Sequence, residues 1–221
     1  MELWESVGSD FDLDALLRAR ELGWQVLAEV ASQVRPGHYE SDVRALLDRA
    51  CAARGLGKPW HPAQIRLGRS TRCAFAKPPL DHLPLAASDI FFLDIGPLAF
   101  GHEADCGQTF VLGDDAEMQR CAEDAAILHR LGREHWLRRA CTGRQLYEHT
   151  RELAEDRGWQ LALLEADGHR LGDFPHHRFY RGNLADCDFT PASDRWVYEI
   201  QLLDPSGRFG AFFEDLLTNR P

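Results

Sequence analysis

Apolar residues recur along this chain in two rhythms. Between residues 12 and 34, Leu16, Leu17, Ala19, Leu22, Val26, Leu27 and Val30 fall at helical spacing, and Arg35-Pro36-Gly37 stops the run. A second helix is expected over 42–54, capped by Ser41 and closed at Gly55. From Trp60 the rhythm shortens, and HPAQIRLG, DIFFLDIG and EADCGQTFVLG read as strands divided by turns. Asp114-Asp115 opens a long helix to about Ala140, and Thr142-Gly143 precedes another that ends near Gly158. WQLALLEA reads as a strand and leads into DGHRLGDFPHHRF, a loop rich in Gly and His. Two last strands, RWVYEIQLLD and RFGAFFEDLL, flank a Pro-Ser-Gly turn. Helix pair, strands, helix pair, strands is the order of one α+β domain with two similarly built halves.

Composition narrows the functional classes. The 221 residues suffice for one domain with a substantial core, and 44% apolar against 27% charged is an ordinary globular balance. A formal net charge of −10 without any Lys/Arg-rich run argues against binding driven by nucleic-acid phosphates. No apolar run approaches the ~20 residues that span a bilayer, and the acidic start MELWESVGSDFDLD lacks the order of a signal peptide. No membrane association is expected. Cys51, Cys73, Cys106, Cys121, Cys141 and Cys187 form no C-x-x-C pair and read as reduced thiols of a cytoplasmic protein.

The acidic residues within apolar strands carry the chemistry. Asp94 and Asp105 stand eleven residues apart in FFLDIGPLAFGHEADCGQTFVL. A hairpin turning near Ala99-Phe100 sets them opposite one another on one face, where like charges repel and burial raises the cost. Such a pair needs a proton, an arginine or a cation. The last hairpin repeats the problem, with Glu199 between Val197 and Gln201 on one strand face and Glu214 between Phe212 and Leu216 on another. Four carboxylates on two hairpins suit a hard cation. GHRLGDFPHH adds His169, His176 and His177, imidazoles able to ligate metal or transfer protons.

These residues resemble a known superfamily. DIGPLAFGHEADCGQTFVLGD, GHRLGDFPH, YEIQL and FFED occur in the order found in the methionine aminopeptidase, Xaa-Pro aminopeptidase and creatinase superfamily. The resemblance implies the pita-bread fold: pseudo-symmetric halves of antiparallel sheet covered by helices, here as a single catalytic domain over 1–221 without an N-terminal accessory domain. It implies a dinuclear metal centre held by Asp94, Asp105, His169, Glu199 and Glu214. Two divalent ions are expected there, Mn, Fe or Co ahead of Zn, lowering the pKa of a shared water and polarising a scissile carbonyl. Glu199 and His176 take the proton-handling roles in that comparison. A short peptide or small molecule is the expected substrate, and a homodimer the default assembly.

Departures from the superfamily pattern bear on substrate. The histidine it carries upstream of the first Asp corresponds to Phe75, which cannot transfer a proton. Arg170 replaces the second Gly of the superfamily's GHGIG, and its guanidinium could recognise a carboxylate or phosphate or pair with an acidic neighbour. His102 and His177 are further candidate substrate contacts, and His61 in WHPAQIRLG reads as structural or pocket-lining. The leading expectation is an aminopeptidase-like metallohydrolase. The alternatives are a dinuclear-metal enzyme acting on a small non-peptide substrate, by C–N hydrolysis or, with iron, by oxygen-dependent chemistry, and a non-catalytic binding module.

Overall fold

The apolar spacing of residues 12–34 becomes α1 (Leu13–Gln33), whose Asp12 side chain accepts the N–H groups of Asp14 and Ala15. Helix α2 (Glu40–Ala53) starts earlier than its sequence signal. Ser41 lies inside its first turn, and Asp42 accepts the Tyr39 N–H at 2.9 Å instead. Helix α3 (Ala116–Arg139) is capped by Asp115, and α4 (Gly143–Asp156) by Thr142 with Gln145. This computed structural model describes residues 3–163, 165–174 and 180–220.

The strands are β1 (Gln64–Leu67), β2 (Asp89–Ile95), β3 (Leu98–Ala99), β4 (His102–Glu103), β5 (Cys106–Leu112), β6 (Gln160–Leu161), β7 (His169–Arg170), β8 (Trp196–Leu203) and β9 (Gly210–Leu216). All but β3 and β4 form one antiparallel sheet in the order β1-β2-β5-β9-β8-β6, with β7 also on β8. Each half supplies a helix pair, an edge strand and two inner strands, and the halves join at β5 and β9. The strand expected over WQLALLEA is confined to β6. Past it the chain crosses to the other side of the sheet, where Ala166 packs on Phe92 and Phe212.

Alternation assigns the two faces. Phe91, Leu93 and Ile95 of β2 pack with Val26, Leu27, Val43 and Leu47 of α1 and α2. Trp196, Tyr198, Ile200 and Leu202 of β8 pack with Leu128, Leu146 and Tyr147 of α3 and α4. The opposite face therefore receives Phe92 and Asp94 from β2, Glu199 from β8, and Phe212 and Glu214 from β9. The first turn of α1 also reaches that face, where Leu16 packs with Leu171, Val197 and Leu216. The six cysteines are free thiols. No described helix is long and apolar enough to cross a membrane.

Candidate metal centre

One rung of the sheet builds most of the site. Asp94 pairs with Gly107, Gly107 with Glu214, and Glu214 with Glu199, straight across β2, β5, β9 and β8. Asp94 thus faces Gly107, not Asp105 as the simple hairpin predicts. The turn falls at Phe100-Gly101, both at positive φ (54° and 72°), one residue beyond the expected position. Moving a turn by one residue moves the register by two, which keeps every side chain on its face. Asp105 remains on the carboxylate face, one diagonal step from Asp94. The glycine on the rung has a steric reason: a Cβ at Gly107 would stand 2.6 Å from Phe212 Cε1 and 2.8 Å from Glu214 Oε1.

Asp105 is the centre of the cluster. Its Oδ2 lies 3.0 Å from His169 Nε2, and its Oδ1 lies 3.1 Å from His61 Nε2. His169 Nε2 is also 3.7 Å from Glu199 Oε1, and His61 Nε2 is 3.6 Å from Asp94 Oδ1. Glu199 Oε2 accepts the Gly168 N–H at 2.8 Å. All four carboxylate residues are buried.

Crowding of like charge away from water disturbs every one of these groups. Burial pushes Asp94 up to about 6; His61 opposes that rise and Asp105 adds to it. Burial likewise raises Glu199 to about 7 against the pull of His169. Glu214 goes well above the carboxylate range through burial and the repulsion of Asp105, Asp94 and Glu199. Asp105 moves the other way, because its two histidines outweigh its burial. Burial alone would lower both imidazoles, yet Asp105 holds His61 at about 10 and His169 at about 9. Among the described residues, the cations paired with the patch are these two imidazoles, and no lysine or arginine forms an ion pair with any of its four carboxylates.

A divalent cation would take the place of the imidazole protons that Asp105 holds. Asp94 Oδ1 and Glu214 Oε1 are buried without a hydrogen-bond partner, and a bound cation would satisfy both. His61, Asp94 and Asp105 offer ligand atoms within 4.8 Å of one another, a group that could hold a metal ion. Carboxylate oxygens with imidazole nitrogen suit first-row transition ions. The sequence profile of metallopeptidase family M24 matches residues 14–218. The chain belongs to that family.

Solved structures place the fold among M24 enzymes. An X-Pro aminopeptidase from Thermotoga maritima superposes with a TM-score of 0.76 at 18% identity, over 98% of this chain and 63% of that one. A methionine aminopeptidase from the same organism gives 0.68 at 14% identity, over 98% and 99%. Dipeptidase PepE from Mycobacterium ulcerans gives 0.68 at 23% identity, over 98% and 60%. This chain thus spans less than two thirds of the X-Pro aminopeptidase and of PepE, and nearly all of the methionine aminopeptidase. No curated protein sequence matches it.

Two expected substrate contacts of this M24 chain belong to its scaffold. Arg170 follows His169 in β7, so it points to the opposite face of the sheet and lies over Trp196. Its buried guanidinium donates to the backbone carbonyls of Trp4, Ser6, Leu171 and Arg195. His102 is buried as well: Phe100 O lies 2.9 Å from Nδ1, and Nε2 accepts the Asp12 N–H at 2.8 Å. Nε2 thus serves the entry to α1 and Nδ1 the hairpin turn. Phe75 stays near the site face, its ring 5.1 Å from Phe212 and 6.1 Å from Phe92. His176 and His177 lie outside the described residues. His61, read in sequence as structural or pocket-lining, stands in the cluster itself, through a contact between residues 44 positions apart that no local pattern announces.

Proposed function

We propose that this protein is an aminopeptidase-like hydrolase whose dinuclear centre is held by Asp94, Asp105, His169, Glu199 and Glu214. The observation that carries the reading is the buried rung Asp94–Gly107–Glu214–Glu199, with Asp105 beside it and two carboxylate oxygens left without hydrogen-bond partners. Manganese, iron or cobalt suits this oxygen-rich set better than zinc. When bound, a pair of divalent ions supplies a water of lowered pKa and polarises a carbonyl. The chain's own residues do the rest. Asp105 offers one oxygen to each side of the cluster. The Gly168 N–H fixes Oε2 of Glu199, leaving Oε1 toward His169 as the atom that holds or releases a proton. His176 is assigned its proton-transfer role by its motif. Phe75, Phe92 and Phe212 give the site an apolar wall that excludes water from one side.

That wall also favours a second reading. Where the superfamily pattern has a histidine to assist the substrate amide, Phe75 offers no proton, which fits a small non-peptide amide better than a peptide bond. The experiment begins with metal content after anaerobic reconstitution with Mn, Fe, Co or Zn, followed by assays on di- and tripeptides and on small amides. About two ions per chain with peptide cleavage is the expected result. Two ions with cleavage of small amides alone would select the second reading. Failure to retain any of the four metals would overturn both. Asp105→Asn should sharply lower metal content with far-UV circular dichroism unchanged, since a neutral amide relieves repulsion but bridges poorly; unchanged metal content would refute the ligand set.

A further inference from the structure

His61 and His169 are presented to Asp105 in the same way. Each places Nε2 against a different Asp105 oxygen, at 3.1 and 3.0 Å. Each also has a second carboxylate within 4 Å, Asp94 for His61 and Glu199 for His169. Each Nδ1 faces a backbone carbonyl, Pro62 O at 3.1 Å for one and Arg170 O at 2.9 Å for the other. A carbonyl accepts only, so Nδ1 keeps its proton and Nε2, facing the cluster, is the nitrogen on which a metal ion would replace a proton. That is the orientation a metal-ligating imidazole requires.

The surroundings of His61 are built to hold it there. Trp60 donates its backbone N–H to Gly96 O at 3.1 Å and its indole N–H to Ala104 O at 2.8 Å, clamping the dipeptide to the strand ends beside Asp94 and Asp105. The indole ring packs edge-on against both imidazoles, 4.4 Å from His61 and 5.6 Å from His169. Gly96 leaves the space: a Cβ there would collide with Cδ2 and Nε2 of His61 and with the Trp60 indole nitrogen. Asp94 Oδ1, buried and without a hydrogen-bond partner, lies 3.6 Å from His61 Nε2.

We infer that His61 is a sixth ligand of the metal centre, giving an imidazole to the ion held by Asp94 and Asp105 as His169 does for the ion held by Asp105 and Glu199. The inference rests on the dinuclear reading proposed above and extends its five-residue ligand set. One imidazole on each ion makes the two positions chemically alike. It also moves their preference along the series from manganese toward iron, cobalt and zinc.

Cobalt-loaded protein tests this directly. Proton NMR of the wild type in water should show two strongly shifted, exchangeable imidazole N–H signals, one from each ligated ring, that vanish in deuterium oxide. A single such signal would overturn the assignment. Calorimetric titration with Co2+ should find two sites in the wild type. In His61→Ala one of them should weaken at least about tenfold, the scale on which lost metal-site support is felt. Gly96→Ala, which keeps the imidazole but fills its space, should reproduce that loss. Unchanged affinity at both sites in His61→Ala, even with activity lost, would place His61 on the substrate and sink the inference while leaving the dinuclear reading intact. A wild type that takes up no metal would end both.

Discussion

At the scale of single residues, location on a face decides role. Arg170 and His169 are neighbours in sequence yet serve opposite sides of the sheet, one binding backbone and the other facing carboxylates. Arg170→Met should leave the part-buried carbonyls of Trp4 and Ser6 unpaired and cost about 1–3 kcal/mol of stability, read as a lower urea midpoint, with metal content unchanged. An altered KM at unchanged stability would instead restore the substrate contact. Read as a loop, GHRLG carries no alternation to separate these two side chains, which is why Arg170 is expected at the substrate in sequence; the short strand β7 supplies it. For His102 no comparable signal exists, because its partner Asp12 is 90 residues away. The four carboxylates were legible for a plain reason: an ionised group inside an apolar strand stands out wherever its partner lies. His61 was not, since it stands at the head of the HPAQIRLG strand run with nothing to mark its neighbour 44 positions on.

At the scale of elements, the helices follow their apolar spacing closely, and the errors fall at their ends and at turns. Ser41 and Asp42 are both good capping residues, and the structure uses Asp42. The hairpin between β2 and β5 shows how a small error travels: a turn one residue late moves Gly107 opposite Asp94. Helix α3 carries a testable feature where it meets β8 and β9. His129 lies against Tyr198 and Phe213, and burial holds it down at about 4 despite the pull of Asp215. The unfolded chain takes up this proton near pH 6.5 and the folded chain only near 4. Its contribution to stability is therefore full above about pH 6.5 and is lost toward pH 4, at about 1.4 kcal/mol per pH unit. His129→Gln should remove that slope. The raised carboxylates of the site act in the opposite sense, so the difference between the two proteins in urea midpoints at pH 4.5 and 7 isolates the histidine. Equal midpoint shifts in both would refute it.

At the scale of the whole molecule, the sheet joins two similarly built halves at β5 and β9, and the candidate ligands come from both. Asp94, Asp105 and His61 belong to the first half, and His169, Glu199 and Glu214 to the second. Anything that binds across this junction ties the halves together. With free metal at 100 times its Kd, linkage adds about 2.7 kcal/mol, a rise of about 5–10 °C in thermal midpoint for a chain of this size. Calorimetry with cobalt and then with chelator should show the rise and its reversal. A midpoint indifferent to metal would mean that no ion binds the folded chain in preference to the unfolded one. The division into two helix-and-strand halves was readable from element order, whereas their junction was not, because the β5–β9 ladder joins segments about a hundred residues apart.

The rung through Asp94, Gly107, Glu214 and Glu199 has one more consequence. Backbone ladders hold neighbouring strands about 4.8 Å apart, and side chains rooted on one rung inherit that pitch. The sheet is a gauge as well as a scaffold. Loops around the mouth can be exchanged, and the choice of substrate with them, while the width of the carboxylate row stays as the strands set it. Only a slipped ladder would change that width, and it would do so for every ligand on the strand together.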